Sequence, residues 1–291
     1  MPTILFDAEA AVLKPNALIP RWATDDGIKR DAGGGPMIVR YADGGMMLEL
    51  GQTARLTLNR PDRRNAISAA MWTAFPDICD QVAQHKSRVL IITGAGDKAF
   101  CAGADISEFE KVYGSPEEAS AYNRIVRVAQ SQLRDVACPT IADVNGVCYG
   151  GGCGLALACD FRVASNDASF AITPAKLGLA YSPTDTWQLI EKVGVSRAKD
   201  LLLTGREVTA QEALDIGLID RIDYDATTLA DHLISLAPVA LRAIKAICNN
   251  LSKPSLQPEL HAAFEATFAG SEFREGYNAY LGKRKPDFLK E

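Results

Sequence analysis

The chain has 291 residues, 47% of them hydrophobic and 23% charged, with a net charge of −5. That balance suits one sizeable globular domain, alone or with a small appendage. It argues against nucleic acid as the main partner, and no run of about 18 apolar residues offers a membrane span.

No basic stretch followed by an apolar run opens the chain, so no secretory signal is expected. The seven cysteines are odd in number and form no CxxC pair. They read as reduced thiols of a cytoplasmic protein, with no disulfide framework and no metal site.

Residues 1–45 contain Ala-rich and Gly-rich pieces, including Gly33-Gly34-Gly35, without sustained periodicity. A poorly ordered extension is expected there, with Met37 and Met46 as alternative starts. Order is expected from about Met47. Residues 48–50 and 54–58 alternate apolar and polar, which predicts two strands. Ser68 is placed to cap a helix running to about Gln84. Val89 to Thr93 reads as a buried strand. Ser115-Pro116-Glu117-Glu118 combines a cap, a first-turn proline and a capping box, and predicts a helix to about Val136. Pro139 to Val144 is the next buried strand. Gly150 to Gly152 opens a helix over Cys153–Cys159, and Phe161 to Ala164 is again a strand. After Tyr181 the chain reads as almost entirely helical, with a second capping box at Thr209-Ala-Gln-Glu212.

Two glycine-containing loops carry the chemistry. The first is Ala99-Phe-Cys-Ala-Gly-Ala-Asp-Ile106; the second is Asn145-Gly-Val-Cys-Tyr-Gly-Gly-Gly-Cys-Gly-Leu-Ala156. Neither is a phosphate-cradling Walker loop, and neither has the dinucleotide GxGxxG pattern. Three glycines at a helix start let the backbone approach a ligand. The free N–H groups of the first turn then face it, with the positive end of the helix dipole behind them. One such N–H and a second from another loop would make an oxyanion hole; taken alone, the three glycines equally suit a tight packing turn between helix and strand.

The two loops, in this order and spacing, resemble the signature segments of the crotonase (enoyl-CoA hydratase/isomerase) superfamily. Asn59-Arg-Pro-Asp-Arg-Arg-Asn-Ala-Ile-Ser68, Pro174-Ala-Lys-Leu-Gly-Leu179, Leu203-Thr-Gly-Arg206, Glu212 to Ile219 and Glu275 to Phe288 match further segments. The resemblance spans about Met47 to Phe288. It implies an α/β fold, a crotonase-like spiral of repeated strand-strand-helix units over 46–200, which holds the CoA and oxyanion site. A helical C-terminal region over 201–291 would serve assembly into a homotrimer or homohexamer.

By position, the resemblance makes Ala104 and Gly151 the two oxyanion-hole donors. It places Arg64, Ala66, Ala102, Asp105 and Ile106 against the adenine and pantetheine of coenzyme A. Tyr280 and Lys283 match tail positions that approach the CoA of the same or a neighbouring subunit. The implied partner is an acyl-CoA thioester; coenzyme A enters as part of the substrate, and no cofactor is bound permanently.

The sequence departs from the hydratase pattern at two points. Hydratases of this superfamily carry one glutamate just after the Gly-rich turn, where this chain has Gly154. They carry another before Lys-Leu-Gly-Leu, where this chain has Thr173-Pro174-Ala175. Syn hydration needs an acid and a base, and these residues supply neither. Tyr181, Ser182, Thr184 and Asp185 are the candidates to fill the gap. Asp185 is the one carboxylate among them, although it equally suits a helix first turn, with Thr184 as a nearby cap. Tyr181 matches a tyrosine of superfamily methylmalonyl-CoA decarboxylases, which carry His where this chain has Ala104. Glu108 and Glu110 either line the acyl pocket or are exposed helix charges. His85, His232 and His261 fall on predicted helices, with no catalytic role expected.

The expected function is an acyl-CoA-processing enzyme that stabilises a thioester enolate. The alternatives are a CoA-thioester decarboxylase and a weakly catalytic acyl-CoA-binding protein or complex subunit.

Overall fold

The computed structural model describes residues 29–30, 37–251 and 257–288. Most of the expected N-terminal extension, residues 1–28 and 31–36, lies outside the described residues. The remainder of it corrects the sequence reading. Lys29–Arg30 (β1) and Met37–Tyr41 (β2) are strands that pair antiparallel with each other. β2 in turn pairs with Met46–Leu50 (β3). Val39 and Tyr41 are buried, and the Tyr41 hydroxyl donates to Asp77 Oδ2 at 2.8 Å. Order therefore begins ahead of Met46. The five residues of β2 are too few to reveal a strand period beside the glycine-rich stretch before them.

Thr53–Leu58 (β4) follows, then helix α1 over Ala69–Gln84, capped by Ser68 Oγ accepting from Met71 N. Val89–Gly94 (β5) and Ala99–Cys101 (β6) lead into a short helix at Phe109–Val112 (α2). The long Pro116–Asp135 (α3) comes next, its Ser115 cap accepting from Glu118 N as the capping box predicts. Thr140–Val144 (β7) and Val147–Tyr149 (β8) precede Gly151–Leu157 (α4). Phe161–Ala164 (β9) and Ser169–Ala171 (β10) precede Pro183–Thr204 (α5), which is broken at Gly194. The remaining elements are Glu207–Thr209 (β11), Ala210–Asp215 (α6), Arg221–Ile222 (β12), Ala226–Ile234 (α7), Pro238–Asn250 (α8), Gln257–Ala269 (α9) and Ser271–Leu281 (α10).

The strands form two sheets. The larger has the order β1-β2-β3-β4-β5-β7-β9-β12, antiparallel as far as β4 and parallel from β4 onward. The smaller has the order β11-β10-β8-β6, parallel except for β11. The chain visits them alternately: β5 then β6 then helix, β7 then β8 then α4, β9 then β10 then α5. That is the repeated strand-strand-helix unit. Each turn of it delivers the end of a short strand, and the loop after it, to the same side of the molecule.

Both faces of the parallel strands are buried, which explains their continuous apolar runs. Val89, Ile91, Ile141 and Val163 pack against Ala226, Leu229, Ala230 and Leu233 of α7. Leu90, Ile92, Ala142 and Val144 face the main core with Trp72 and Phe75.

β11 and β12 are the departures from the almost entirely helical reading after Tyr181. They extend the two sheets past residue 200, so the expected boundary there does not end the sheet core. At three and two residues these strands show no period.

Candidate active site

The first loop is held by an isolated parallel bridge between Ala104 and Ile67. Ile67 N donates to Gly103 O at 2.8 Å, and Asp105 N donates to Ile67 O at 3.0 Å. In a trans peptide the C=O and the N–H point to opposite sides, and Gly103 O shares its peptide with the Ala104 N–H. The N–H of Ala104, between those two bonds, therefore faces away from Ile67. What it faces is the second loop: a Cβ placed on Gly151 would lie 3.5 Å from Ala104 N. The loop is fixed from below by Asn65, fully buried, whose side-chain amide donates to Ala95 O and Ala99 O.

Gly151 is the first residue of α4, so no intrahelical carbonyl accepts its N–H. The preceding Gly150 has φ 49 and ψ −113, a backbone that side chains disfavour. Gly150 N donates to Ala171 O at 2.8 Å, which seats the turn on β10. Neither Ala104 N nor Gly151 N donates to another backbone group among the described residues. Close approach needs glycine next door as well, because a Cβ on Gly152 would sit 2.4 Å from Cys101 O. The Trp72 ring lies alongside, 3.6 Å from the Cβ position of Gly151. The helix begins at Gly151 and not at Cys153, which brings its first-turn amides into the site itself.

The tyrosine and carboxylate found by sequence are both here. The Tyr181 hydroxyl donates to Gly150 O at 3.1 Å. Its ring is partly exposed while its hydroxyl end is enclosed, and burial together with Asp185 pushes its pKa up. Asp185 is buried at 5% exposure. Its Oδ2 accepts from Ser182 Oγ at 2.7 Å, and its N–H donates to the same oxygen at 3.0 Å. Ser182, and not Thr184, is therefore the cap of α5.

The Asp185 Oδ1 atom has no hydrogen bond and lies 2.6 Å from the Cβ position of Gly154. Gln130 Nε2, also buried and unbonded, lies at the same distance from that point. The carboxyl thus fills the space beside α4 that a side chain at 154 would take. Burial raises the Asp185 pKa, against the lowering effects of Ser182 and of the nearby Gln130 amide, which favours the charge without reaching hydrogen-bond geometry.

Other expected residues divide. Arg64, with φ 48, accepts through its carbonyl from Ala102 N at 2.9 Å, which sets the two side by side; Arg64 is exposed, and Ala66 and Ala102 are partly exposed. Ile106 is 62% exposed. The Asp105 carboxylate is used inside the protein. It accepts from Arg60 at 2.7 Å and from Ser107 Oγ at 2.6 Å. Burial raises its pKa, yet the Ser107 and Arg60 hydrogen bonds outweigh that and hold it below the usual carboxylate range. Glu108 is a cap, its Oε2 accepting from Ala69 N at 2.7 Å at the start of α1, and Glu110 is exposed. Tyr280 and Lys283 are exposed on α10 and the turn after it.

His85 ends α1, His232 lies on α7 and His261 on α9. No group of His, Cys, Asp and Glu able to hold a metal occurs among the described residues. Burial pushes the Cys101 thiol up to about 12, so it stays protonated and is no nucleophile.

Sequence reasoning missed Gln130, Trp72 and Arg60. Gln130 left one signal: a polar side chain on the buried stripe of α3 with Ala129 and Leu133.

Comparison with known proteins follows the same lines. The family described as enoyl-CoA hydratase/isomerase matches residues 51–291. A crotonyl-CoA hydratase of Syntrophomonas wolfei is 33% identical over 246 residues, covering 81% of this chain and 94% of its own. The 1,2-epoxyphenylacetyl-CoA isomerase of Escherichia coli is 33% identical over 245 residues, covering 80% and 93%. Among solved structures, an enoyl-CoA hydratase/isomerase family protein from Hyphomonas neptunium superposes with a TM-score of 0.80 at 38% identity, covering 84% of this chain and 98% of its own. The chain, with its two facing glycine loops and alternating strand-strand-helix turns, belongs to the enoyl-CoA hydratase/isomerase (crotonase) family.

Proposed function

We propose that this protein moves a proton at the α-carbon of an acyl-CoA through a thioester enolate, using one carboxyl group, Asp185. One observation carries the reading: the Asp185 carboxyl fills the space beside Gly154, next to the turn that presents Gly151. In this reading the Ala104 and Gly151 N–H groups hold the thioester oxygen, and the α4 dipole favours the negative charge that develops there. Tyr181, through Gly150, keeps the turn in place. Arg64, Ala66, Ala102 and Ile106, with the backbone of Asp105, flank the CoA, and Tyr280 and Lys283 approach it from the tail of the same or a neighbouring subunit.

A single carboxyl can take a proton from one carbon and return it to another. That moves a double bond from the 3- to the 2-position of an enoyl-CoA with no net gain or loss of atoms. Hydration asks more, because a water must be activated while the α-carbon is protonated. The conjugated thioester product is the more stable isomer, which sets the direction.

The test is a panel of a 3-enoyl-CoA, crotonyl-CoA and methylmalonyl-CoA, followed by thioester absorbance and product mass. Isomerisation of the 3-enoyl-CoA is expected, with crotonyl-CoA hydration absent or at least about 10²-fold slower, the lower range for one acid–base group. Hydration as fast as isomerisation overturns the single-carboxyl reading. Carbon dioxide release from methylmalonyl-CoA alone would favour the decarboxylase.

Assembly into a homotrimer or homohexamer belongs to the same proposal. Phe264, Phe268, Phe273 and Tyr277 of α9 and α10 pack ring against ring in series yet remain half-exposed or more. Aromatic surface of this kind favours association. Light scattering at micromolar concentration is expected to give three or six times the mass of the chain; a clean monomer overturns it. No helix among the described residues is long and apolar enough to cross a membrane.

A further inference from the structure

Gln130 is 1% exposed, on the face of α3 that turns toward α4 and α5. Its Nε2 and the Asp185 Oδ1 both lie 2.6 Å from the Cβ position of Gly154. Their separation is thus no more than about twice that distance. Neither atom has a hydrogen bond in this geometry, and both are shut off from solvent. A buried donor and a buried acceptor left unbonded side by side are costly in a folded protein. Ser182 satisfies only the other carboxyl oxygen, Oδ2.

We infer that Gln130 is the positioning residue of the Asp185 carboxyl, closing onto Oδ1 when the acid ionises and so setting the pH at which it works as a base. The inference rests on the reading of Asp185 as the proton-transfer group. An amide suits this place because it serves both protonation states. Its N–H donates to the carboxylate, and, turned over, its oxygen accepts from the carboxylic acid. A charged donor such as Lys or Arg would lock the carboxyl in the ionised form. An apolar residue would leave it protonated.

The other titratable groups around the carboxyl fit this division of labour. From the segment before α5 the Tyr181 phenol faces it, and behind that phenol stand the Cys153 and Cys148 thiols of α4 and β8. Burial pushes the Tyr181 and Cys148 pKa values up, so both hold their protons, and neither a phenol nor a thiol supplies positive charge. On α3 the cations flanking Gln130 are Arg127, which is exposed, and Arg134, whose guanidinium is stacked over the Trp187 ring at 4.7 Å. Gln130 is left as the donor at hand. The same geometry accounts for Gly154, where any Cβ would displace both partners.

The experiment measures exchange of the α-protons of butyryl-CoA with deuterium oxide against pH, for wild type, Gln130→Met, Gln130→Leu and Asp185→Asn. Both apolar variants are expected to move the acid limb of the exchange profile up by about one pH unit. That corresponds to a roughly tenfold loss below the limb. In the Asp185→Asn background neither is expected to lower the residual rate further, because Gln130 acts only through the carboxyl.

A profile that falls uniformly without moving along the pH axis makes Gln130 structural and overturns the inference, as does an additive loss in the double variants. If one apolar variant fails to fold, the other carries the test, since their shapes differ. The underlying reading fails separately: it is lost if Asp185→Asn alone leaves exchange unchanged.

Discussion

Asp185→Asn is expected to lower isomerisation and α-proton exchange by about 10²–10⁴-fold, the range for one acid–base group, while the protein melts at or above the wild-type temperature at pH 7–8. The two halves of this result have one cause. The carboxyl is buried, and burial raises its pKa above the ordinary value near 4. Between that ordinary value and the raised one, the folded state binds more protons than the unfolded state. Stability then falls as pH rises through the window, and above it the full cost of ionising a buried carboxyl is borne. Asparagine keeps the shape, still accepts from Ser182 Oγ, and carries no charge to desolvate. Activity and stability therefore move in opposite directions, which a merely structural aspartate would not produce. Thermal melting at pH 5 and pH 8 beside exchange assays decides it. The stability difference between variant and wild type should be larger at pH 8. A variant that is both less stable and fully active sinks the assignment.

Much of this site is legible in the sequence, and the reasons differ by residue. The three-glycine turn announces close backbone approach, because Gly150 and Gly152 tolerate no side chain for conformational and contact reasons respectively. Ser68, Ser115 and Thr209 announce helix starts through cap chemistry that is local to a few residues. The carboxyl beside Gly154 is not local. Asp185 stands 31 positions further along the chain and reaches Gly154 only because the β9-β10 turn of the spiral brings α5 onto α4. Sequence alone marks the loss at 154 and offers Asp185 as an equally good first-turn acid; it cannot show that one fills the other's place. Gln130 is more hidden still, since a single glutamine on an apolar stripe resembles a helix-surface residue. The short strands of the smaller sheet are invisible for a simpler reason: three residues carry no period, and their pairing is fixed by the register with neighbours.

Gly151→Ala is expected to leave the fold and melting temperature near wild type while lowering turnover by about 10²–10³-fold, the loss seen when one oxyanion donor is removed. Gly151 does not have a positive φ, so alanine meets no backbone penalty there. The added Cβ would stand 3.6 Å from Trp72 and 3.5 Å from Ala104 N, both ordinary contacts. That second contact is the damaging one. A thioester oxygen bound by both amides must lie about 3 Å from each, and a methyl group in van der Waals contact with Ala104 N stands in or against that place. Neither N–H is removed; the space between them is filled. Gly152→Ala is the control, because its Cβ would meet the Cys101 carbonyl oxygen at 2.4 Å and must push the two loops apart. That variant should lose stability as well as activity. Calorimetric melting and the isomerase assay on the same preparations separate the cases. A Gly151→Ala protein that turns over at the wild-type rate would show that the thioester oxygen does not bind between Ala104 and Gly151.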